Sequence, residues 1–468
     1  MLASIHHAAL SACGGQPETG KEDASVTDGG GIDEDRSTEP AGPAGRSVYD
    51  RGDAVCVIGA GSSGLAAVKN LREHGFEVDC YERETGVGGG WDVGADRSPM
   101  YLGLHMVSSR PFTQFPDFPM PDSYPDYPDH RRVLAYLERY ADHFGLREHV
   151  WFGTEVVEVT ATDGHRWEIT VRGTGGGPSR TLRYAAVVVA NGHLWHPYRP
   201  EYPGQETFTG EIIHSAAYSD PAQLRGKRVL VIGGGNSGCD IAVAAAQQAG
   251  TAWHSTRHGE WLTPKYLLGR PADQLDDLTR ALRLPLWARR LGYRALLRLT
   301  AGRPARFGLA RPTHRPFSAH PVVTSQLVYH LGHGDVTPKP AIAEFTSNRV
   351  LFTDGTDADP QLVVFATGYR PRFDFLAPEH LGGDEQKPRL YLQLLNPKRP
   401  TLSVAGLIDP DSGQFGLVHW QTVLIARLLR SRIESPARAD ALLRRAERDL
   451  DRRYLQTRMA ATARHRFD

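Results

Sequence analysis

Residues 53–82 read DAVCVIGAGSSGLAAVKNLREHGFEVDCYE. An apolar run of strand length ends at Gly59. A glycine-rich turn carries the chain through Gly61 to Gly64, an alanine-rich stretch of helical spacing follows, and a second short apolar run closes on Glu82. This is the β-α-β unit that binds a dinucleotide. Its first glycine permits the strand-to-helix reversal, its second lets backbone approach the pyrophosphate, and its third lets helix pack on strand. The helix N-terminus then offers free N–H groups and the positive end of its dipole to the phosphates. One such turn is weak evidence, but the pattern recurs. Residues 227–256, KRVLVIGGGNSGCDIAVAAAQQAGTAWHST, repeat it at a constant offset of 174 residues, with Gly233, Gly235 and Gly238 falling on Gly59, Gly61 and Gly64. The fold class expected is therefore α/β, with two Rossmann-like dinucleotide-binding domains.

The end of the second strand separates the two nucleotides. Glu82 supplies a carboxylate that accepts hydrogen bonds from ribose hydroxyls and repels a 2′-phosphate, which suits FAD or NAD. At the corresponding place the second copy carries Ser255, Thr256 and Arg257, hydroxyls and a guanidinium that suit the 2′-phosphate of NADPH. Beyond Glu82, Gly88, Gly89, Gly90 and Trp91 form a second glycine-rich approach within the first domain. Such a contact is expected for a long FAD and not for a simple NAD dehydrogenase.

Residues 1–50 are rich in Gly, Ser, Asp, Glu and Pro and read as a disordered extension. The first domain is expected at 51–220, interrupted by the second domain at 221–324, and resumed at 325–440, with a C-terminal helix and tail at 441–468. Three strands are expected from TEVVEVTATDG, RWEITVRG and YAAVVVANG, and later ones from LVVFATGYR and TLSVAGLID. A helix is expected from Arg131 to Phe144 and another at QTVLIARLLRSR. The Arg-rich region at 272–300 has the amphipathic pattern of a membrane-surface helix. It is read instead as a packed helix with a basic outer face.

Lys+Arg and Asp+Glu both number 54 in 468 residues, so the total charge gives no electrostatic argument for nucleic acid or acidic lipid. The four cysteines, Cys13, Cys56, Cys80 and Cys239, include no C-x-x-C pair, which disfavours zinc ribbons and dithiol redox centres and fits a reducing cytoplasm. No apolar run is long enough to span a bilayer, and no secretory signal is evident. The partners expected are a small-molecule substrate and dioxygen, without nucleic acid, integral membrane segment or metal; a homo-oligomer stays open.

Residues 208–218, FTGEIIHSAAY, fit F-x-G-x-x-x-H-x-x-x-[YF], with Phe208, Gly210, His214 and Tyr218 at the marked positions. With GAGSSG, GGGNSG, GGGW and FATGY (Phe365 to Tyr369) in order, the chain resembles the flavin-containing monooxygenases over roughly residues 53–435. Type I Baeyer–Villiger enzymes usually end the motif in Trp-Pro, where this chain has Tyr218-Ser219. The resemblance implies FAD contacts at Gly59, Gly61, Ser62, Ser63, Gly64, Glu82, Gly90 and Trp91, and NADPH contacts at Gly233, Gly235, Asn236, Ser237, Gly238 and Arg257. It implies hydride transfer from NADPH to FAD, a flavin 4a-hydroperoxide, and oxygen transfer to an amine nitrogen or sulfide sulfur, with no protein nucleophile. His214 and Tyr218 read as architectural. Counting back from Phe115–Pro119 puts Val107 where the family usually has an Asn beside the flavin ring. Ser108 follows it, and Ser108, Ser109 and His105 are the candidate substitutes. Baeyer–Villiger oxygenation of a ketone, an amine N-hydroxylase and an uncoupled NADPH oxidase are the competing readings.

Overall fold

The computed structural model describes residues 48–318, 320–383, 388–410 and 412–457. Most of the expected N-terminal extension, Cys13 included, and the last part of the C-terminal tail lie outside the described residues. The extension ends earlier than expected. Val48–Asp50 is a strand, paired in parallel with Arg180–Tyr184, and Asp50 is held by Arg166 at 2.5 Å.

The first glycine turn sits in a five-stranded parallel sheet ordered Leu402–Val404, Ala186–Val189, Val55–Ile58, Val78–Tyr81, Val150–Trp151. Four of these strands are short, buried on both faces and apolar but for Asp79 and Ser403, as a parallel sheet covered on both sides requires. Helices Ser62–Glu73, His130–His143 and Phe415–Glu434 cover one face with Leu65, Leu71, Val133, Tyr136 and Val418. The side chain of Asp129 caps the middle helix by accepting the Arg132 N–H at 2.9 Å. A polar rivet joins the outer two: Asn70 Nδ2 donates to Thr422 Oγ1 at 2.7 Å. The other face packs Trp167, Ile169 and Tyr184 from a second, four-stranded sheet. The segment YAAVVVANG serves both sheets, since Arg180–Tyr184 joins the small one and Ala186–Val189 the large.

The second glycine turn lies in its own five-stranded parallel sheet, ordered Thr337–Lys339, Thr251–Ser255, Arg228–Ile232, Leu362–Phe365, Glu211–His214. This corrects the boundaries expected at 220 and 325. Glu211–His214 already belongs to the second sheet, and the chain rejoins the first sheet only after Phe365. The FATGY strand therefore follows the second nucleotide unit. Composition does not reveal this, because a buried four-residue apolar strand reads alike in either sheet.

The Arg-rich region is two helices, Ala272–Ala281 and Leu286–Thr300, parted before Pro285. Leu286–Thr300 packs through buried Leu297 and through Tyr293, whose ring meets Phe317 at 4.7 Å, while Arg294 and Arg298 are exposed. The C-terminal helix runs Pro436–Thr457.

Candidate functional site: two nucleotide cradles

In the first turn Gly59 has φ +99°, and a Cβ there would lie 2.8 Å from the Ala190 carbonyl oxygen. In the second, Gly233 has φ +131°, with a Cβ 2.2 Å from the Ala366 carbonyl oxygen. Only glycine fits either place. Gly64 and Gly238 are in turn pressed on the carbonyls of those first glycines, since a Cβ would stand 1.7 Å from Gly59 O and 2.0 Å from Gly233 O respectively. Gly61 and Gly235 are the helix N-caps, and neither helix has a side-chain cap. A Cβ on Gly235 would meet nothing within 4 Å. Uncapped N–H groups at an unobstructed helix start fit a pyrophosphate. Ser62, Ser63, Asn236 and Ser237 are the half-buried residues of those first turns.

One clamp recurs at equivalent positions and was not singled out from the sequence. Cys80 Sγ donates to Gly59 O at 3.5 Å, and 174 residues later His254 Nε2 lies 2.8 Å from Gly233 O. Each holds the carbonyl of the first glycine from the neighbouring strand. Burial lowers the pKa of His254, so the ring is neutral and its Nε2–H donates to that carbonyl.

Glu82 is buried at the end of strand Val78–Tyr81. Its carboxylate accepts the N–H groups of Ala60 at 2.6 Å and Glu84 at 2.9 Å. Burial raises its pKa, and these two bonds pull the other way. The second glycine run folds onto the first turn: Gly88 N–H donates to Ala60 O at 3.1 Å, and Gly61 bridges Gly88. Gly90 and Trp91 complete a short 3-10 turn, and the Trp91 ring meets Phe415 edge-on at 6.3 Å. The expected FAD residues thus gather at the carboxyl ends of strands, beside the point where strand order reverses, which is where such sheets hold their ligands.

The second set is less uniform. Arg257 is exposed, and among the described residues no hydrogen bond or ion pair engages it. Thr256 is buried under Gly234, whose Cβ would lie 3.5 Å from Thr256 Cγ2. Ser255 points inward, its hydroxyl donating to Pro340 O at 2.7 Å, so it does not share a surface with Arg257. The strand ends at Ser255, so Arg257 lies beyond its alternation. Asn236 spends both ends of its amide on the chain, donating to Pro321 O at 3.2 Å and accepting Val323 N–H at 2.8 Å. Its backbone N–H remains at the helix start.

Val107 is half-buried. Ser108 is buried with its hydroxyl bonded to Thr113 Oγ1 at 2.9 Å, whereas His105 is exposed. Ser109 is fully buried, its Oγ has no partner among the described residues, and its N–H donates to Asp273 Oδ2 at 2.6 Å. Asp273 and a second group, Tyr101 donating to Asp240 at 3.1 Å with Lys265 acting on the same carboxylate, escaped the sequence reading. Ser109 and Asp273 stand 164 residues apart and Tyr101 and Asp240 139, so neither pair carries a spacing signal.

The four marked residues of FTGEIIHSAAY all pack. Phe208 lies against Phe345 at 5.4 Å, and a Cβ on Gly210 would strike the Phe208 ring at 2.5 Å. His214 pairs with Phe365 across the sheet and meets the Tyr369 ring at 5.2 Å, so the two motifs touch. Tyr218 lies on Tyr101 at 5.2 Å.

The family model described as flavin-binding monooxygenase-like matches residues 52–465. The chain belongs to that family. Its members are FAD-dependent oxidoreductases that use NADPH, and both cradles fit those cofactors. "Dimethylaniline monooxygenase [N-oxide-forming] 2" of Rattus norvegicus is 31% identical over 413 residues, 84% of this chain and 76% of that protein. Among solved structures, S-allyl-L-cysteine S-oxygenase from Allium sativum superposes with a TM-score of 0.64 at 24% identity, over 89% of this chain and 84% of that one. Open cyclohexanone monooxygenase gives a TM-score of 0.63 at 22% identity, over 85% and 92%. These two likenesses concern the fold. Among the described residues no cluster of ligating side chains is arranged for a metal, and no helix is long and apolar enough to cross a membrane.

Proposed function

We propose that this protein uses NADPH and dioxygen to oxygenate a soft nucleophile, an amine nitrogen or a sulfide sulfur. The observation carrying this reading is the unlike pair of cradles in one chain, one ending in a buried carboxylate and the other in an exposed guanidinium. Kinship with an N-oxide-forming relative supports the substrate class. When bound, FAD supplies the redox chemistry, taking hydride from NADPH and activating dioxygen. The chain binds and orients. The N–H groups from Gly61 to Gly64 hold the FAD pyrophosphate and Glu82 the ribose. Those from Gly235 to Gly238 hold the NADPH pyrophosphate, and Arg257 its 2′-phosphate. Phe415 and Trp91 make an apolar wall that excludes water. A nucleophilic substrate needs no nucleophile from the protein.

A second reading rests on Val107 and Ser108. One has no donor and the other has its hydroxyl engaged, an arrangement that favours NADPH oxidation with peroxide release. The test is a balance of oxygen, NADPH and hydrogen peroxide for the purified holoenzyme with amines, sulfides and ketones. N-oxide or sulfoxide forming in step with NADPH oxidation supports the proposal. Esters or lactones from ketones alone, or peroxide accounting for all NADPH, overturns it.

A further inference from the structure

The two glycine turns are bracketed alike from the neighbouring strand, but not equally. In the first, Tyr81 O accepts the Gly59 N–H at 2.8 Å while Cys80 Sγ donates to Gly59 O at 3.5 Å. In the second, Ser255 O accepts the Gly233 N–H at 2.9 Å while His254 Nε2 donates to Gly233 O at 2.8 Å. Two consecutive strand residues thus hold both polar groups of one glycine. The first turn has a further hold, since the Glu82 carboxylate takes the N–H of Ala60, the next residue, at 2.6 Å. Thr256 stands at the place of Glu82 and has no carboxylate to offer Gly234. A carboxylate there would repel a 2′-phosphate, so a turn built for NADPH gives up that anchor. The stronger clamp stands in the copy that lacks the acid, because a thiol is a weak donor and an imidazole N–H is not.

We propose that His254 is a positioning residue for NADPH: by holding the Gly233 carbonyl it fixes the helix start that receives the pyrophosphate, in place of the carboxylate anchor that the second turn has given up. Gly233 O is also the atom on which a Cβ of Gly238 would fall at 2.0 Å. Its direction therefore sets where the helix Asn236–Gln248 begins and where the N–H groups of its first turn point. His254 is 1% exposed, and its Nδ1 has no partner among the described residues. A second proton would be buried there without an acceptor, so the ring keeps its one hydrogen on Nε2 for Gly233. A histidine that only filled space could be replaced without loss by an apolar side chain of similar size. One that donates should be replaceable by glutamine, whose Nε2–H reaches to a similar place. The inference rests on the reading of the second cradle as the one for NADPH.

The test is titration of the purified holoenzyme with NADP⁺, followed by calorimetry and by the change in flavin absorbance. His254→Leu is expected to raise the Kd about tenfold, the loss of one buried hydrogen bond. His254→Gln should stay within about twofold of the wild type. FAD content and reduction by dithionite should be unchanged in both variants, and saturating NADPH should restore the rate of flavin reduction in His254→Leu. The proposal is overturned if His254→Leu binds NADP⁺ as the wild type does, or if it sheds FAD as readily as NADP⁺. It is equally overturned if the leucine and glutamine variants weaken alike, since shape then matters and the donor does not. Gly238→Ala, which strikes the same carbonyl, separates the clamp from the cradle. Weak binding in that variant alone removes His254 and keeps the cradle, whereas normal binding in both removes the assignment of the second cradle and the proposal with it. If His254→Leu does not fold, His254→Cys imports the thiol of the first copy. Its weaker donation should raise the Kd about threefold, and an unchanged Kd overturns the proposal.

Discussion

Cys80 and His254 stand at the same place in the two glycine turns and do the same work on different chemistry, a thiol and an imidazole each anchoring a glycine carbonyl. Function at this scale depends on where a side chain is aimed. Arg257 is exposed and is the residue proposed to meet the 2′-phosphate. Arg257→Ala is expected to cut the preference for NADPH over NADH about thirtyfold, the loss of one charge-assisted contact of roughly 2 kcal/mol. Rates of flavin reduction with both nucleotides measure it, and an unchanged preference would show that another cation serves. Val107 supplies shape and dryness but no donor. Val107→Asn should lower the fraction of consumed NADPH that appears as hydrogen peroxide, and a fraction that stays level or rises removes Val107 from the account. His214 is fully buried, and burial pushes its pKa down to about 4. The unfolded chain therefore takes up this proton first, so the stability tied to a neutral ring is complete above about pH 6.5 and is lost as pH falls toward the folded value. A folded His214→Gln variant should lose about 2–3 kcal/mol less than the wild type between pH 7 and 4.5. Denaturant midpoints at the two pH values decide the matter, and parallel losses would place the titration elsewhere.

At the scale of elements, each cradle is a helix start pressed against the carbonyl of the strand that precedes it. A methyl on Gly238 would sit 2.0 Å from Gly233 O, so Gly238→Ala must push the second helix off its strand, at a cost of about 1–3 kcal/mol. The expected outcome is normal FAD content, normal reduction by dithionite, and reduction by NADPH slowed at least tenfold. Gly64→Ala should instead lose FAD. If Gly238→Ala accepts hydride at the wild-type rate, the close contact has no bearing on nucleotide binding. These elements were the legible part of the sequence, because glycine spacing and apolar runs are local signals. Less legible was the destination of a side chain from a correctly placed element. Ser255 was expected beside Arg257, yet it is buried with its hydroxyl spent on Pro340 O. Asn236 was expected at a phosphate, and its amide secures strand Val322–Val323. Asp273 reaches Ser109 across 164 residues, a contact that only tertiary folding creates.

For the whole molecule, the duplication in the sequence announced two nucleotide units but misjudged where one gives way to the other. The first sheet takes its edge strand from Leu402–Val404, whereas the second closes at Leu362–Phe365. Net charge is also mute here, since a sum of zero does not say whether the charges are mixed or parted. The interleaving of the sheets has a consequence for synthesis on the ribosome. The first β-α-β unit emerges early, but its sheet lacks the strand beside Ala186–Val189, and helix Ser62–Glu73 lacks its cover from Phe415–Glu434, until nearly the whole chain has been made. The second sheet has all its strands 39 residues sooner, a lead of about 2–8 s at typical translation rates. The later-born unit is thus the first able to finish folding, and the nascent N-terminal half must wait, with apolar surface uncovered, in the care of whatever binds unfinished chains.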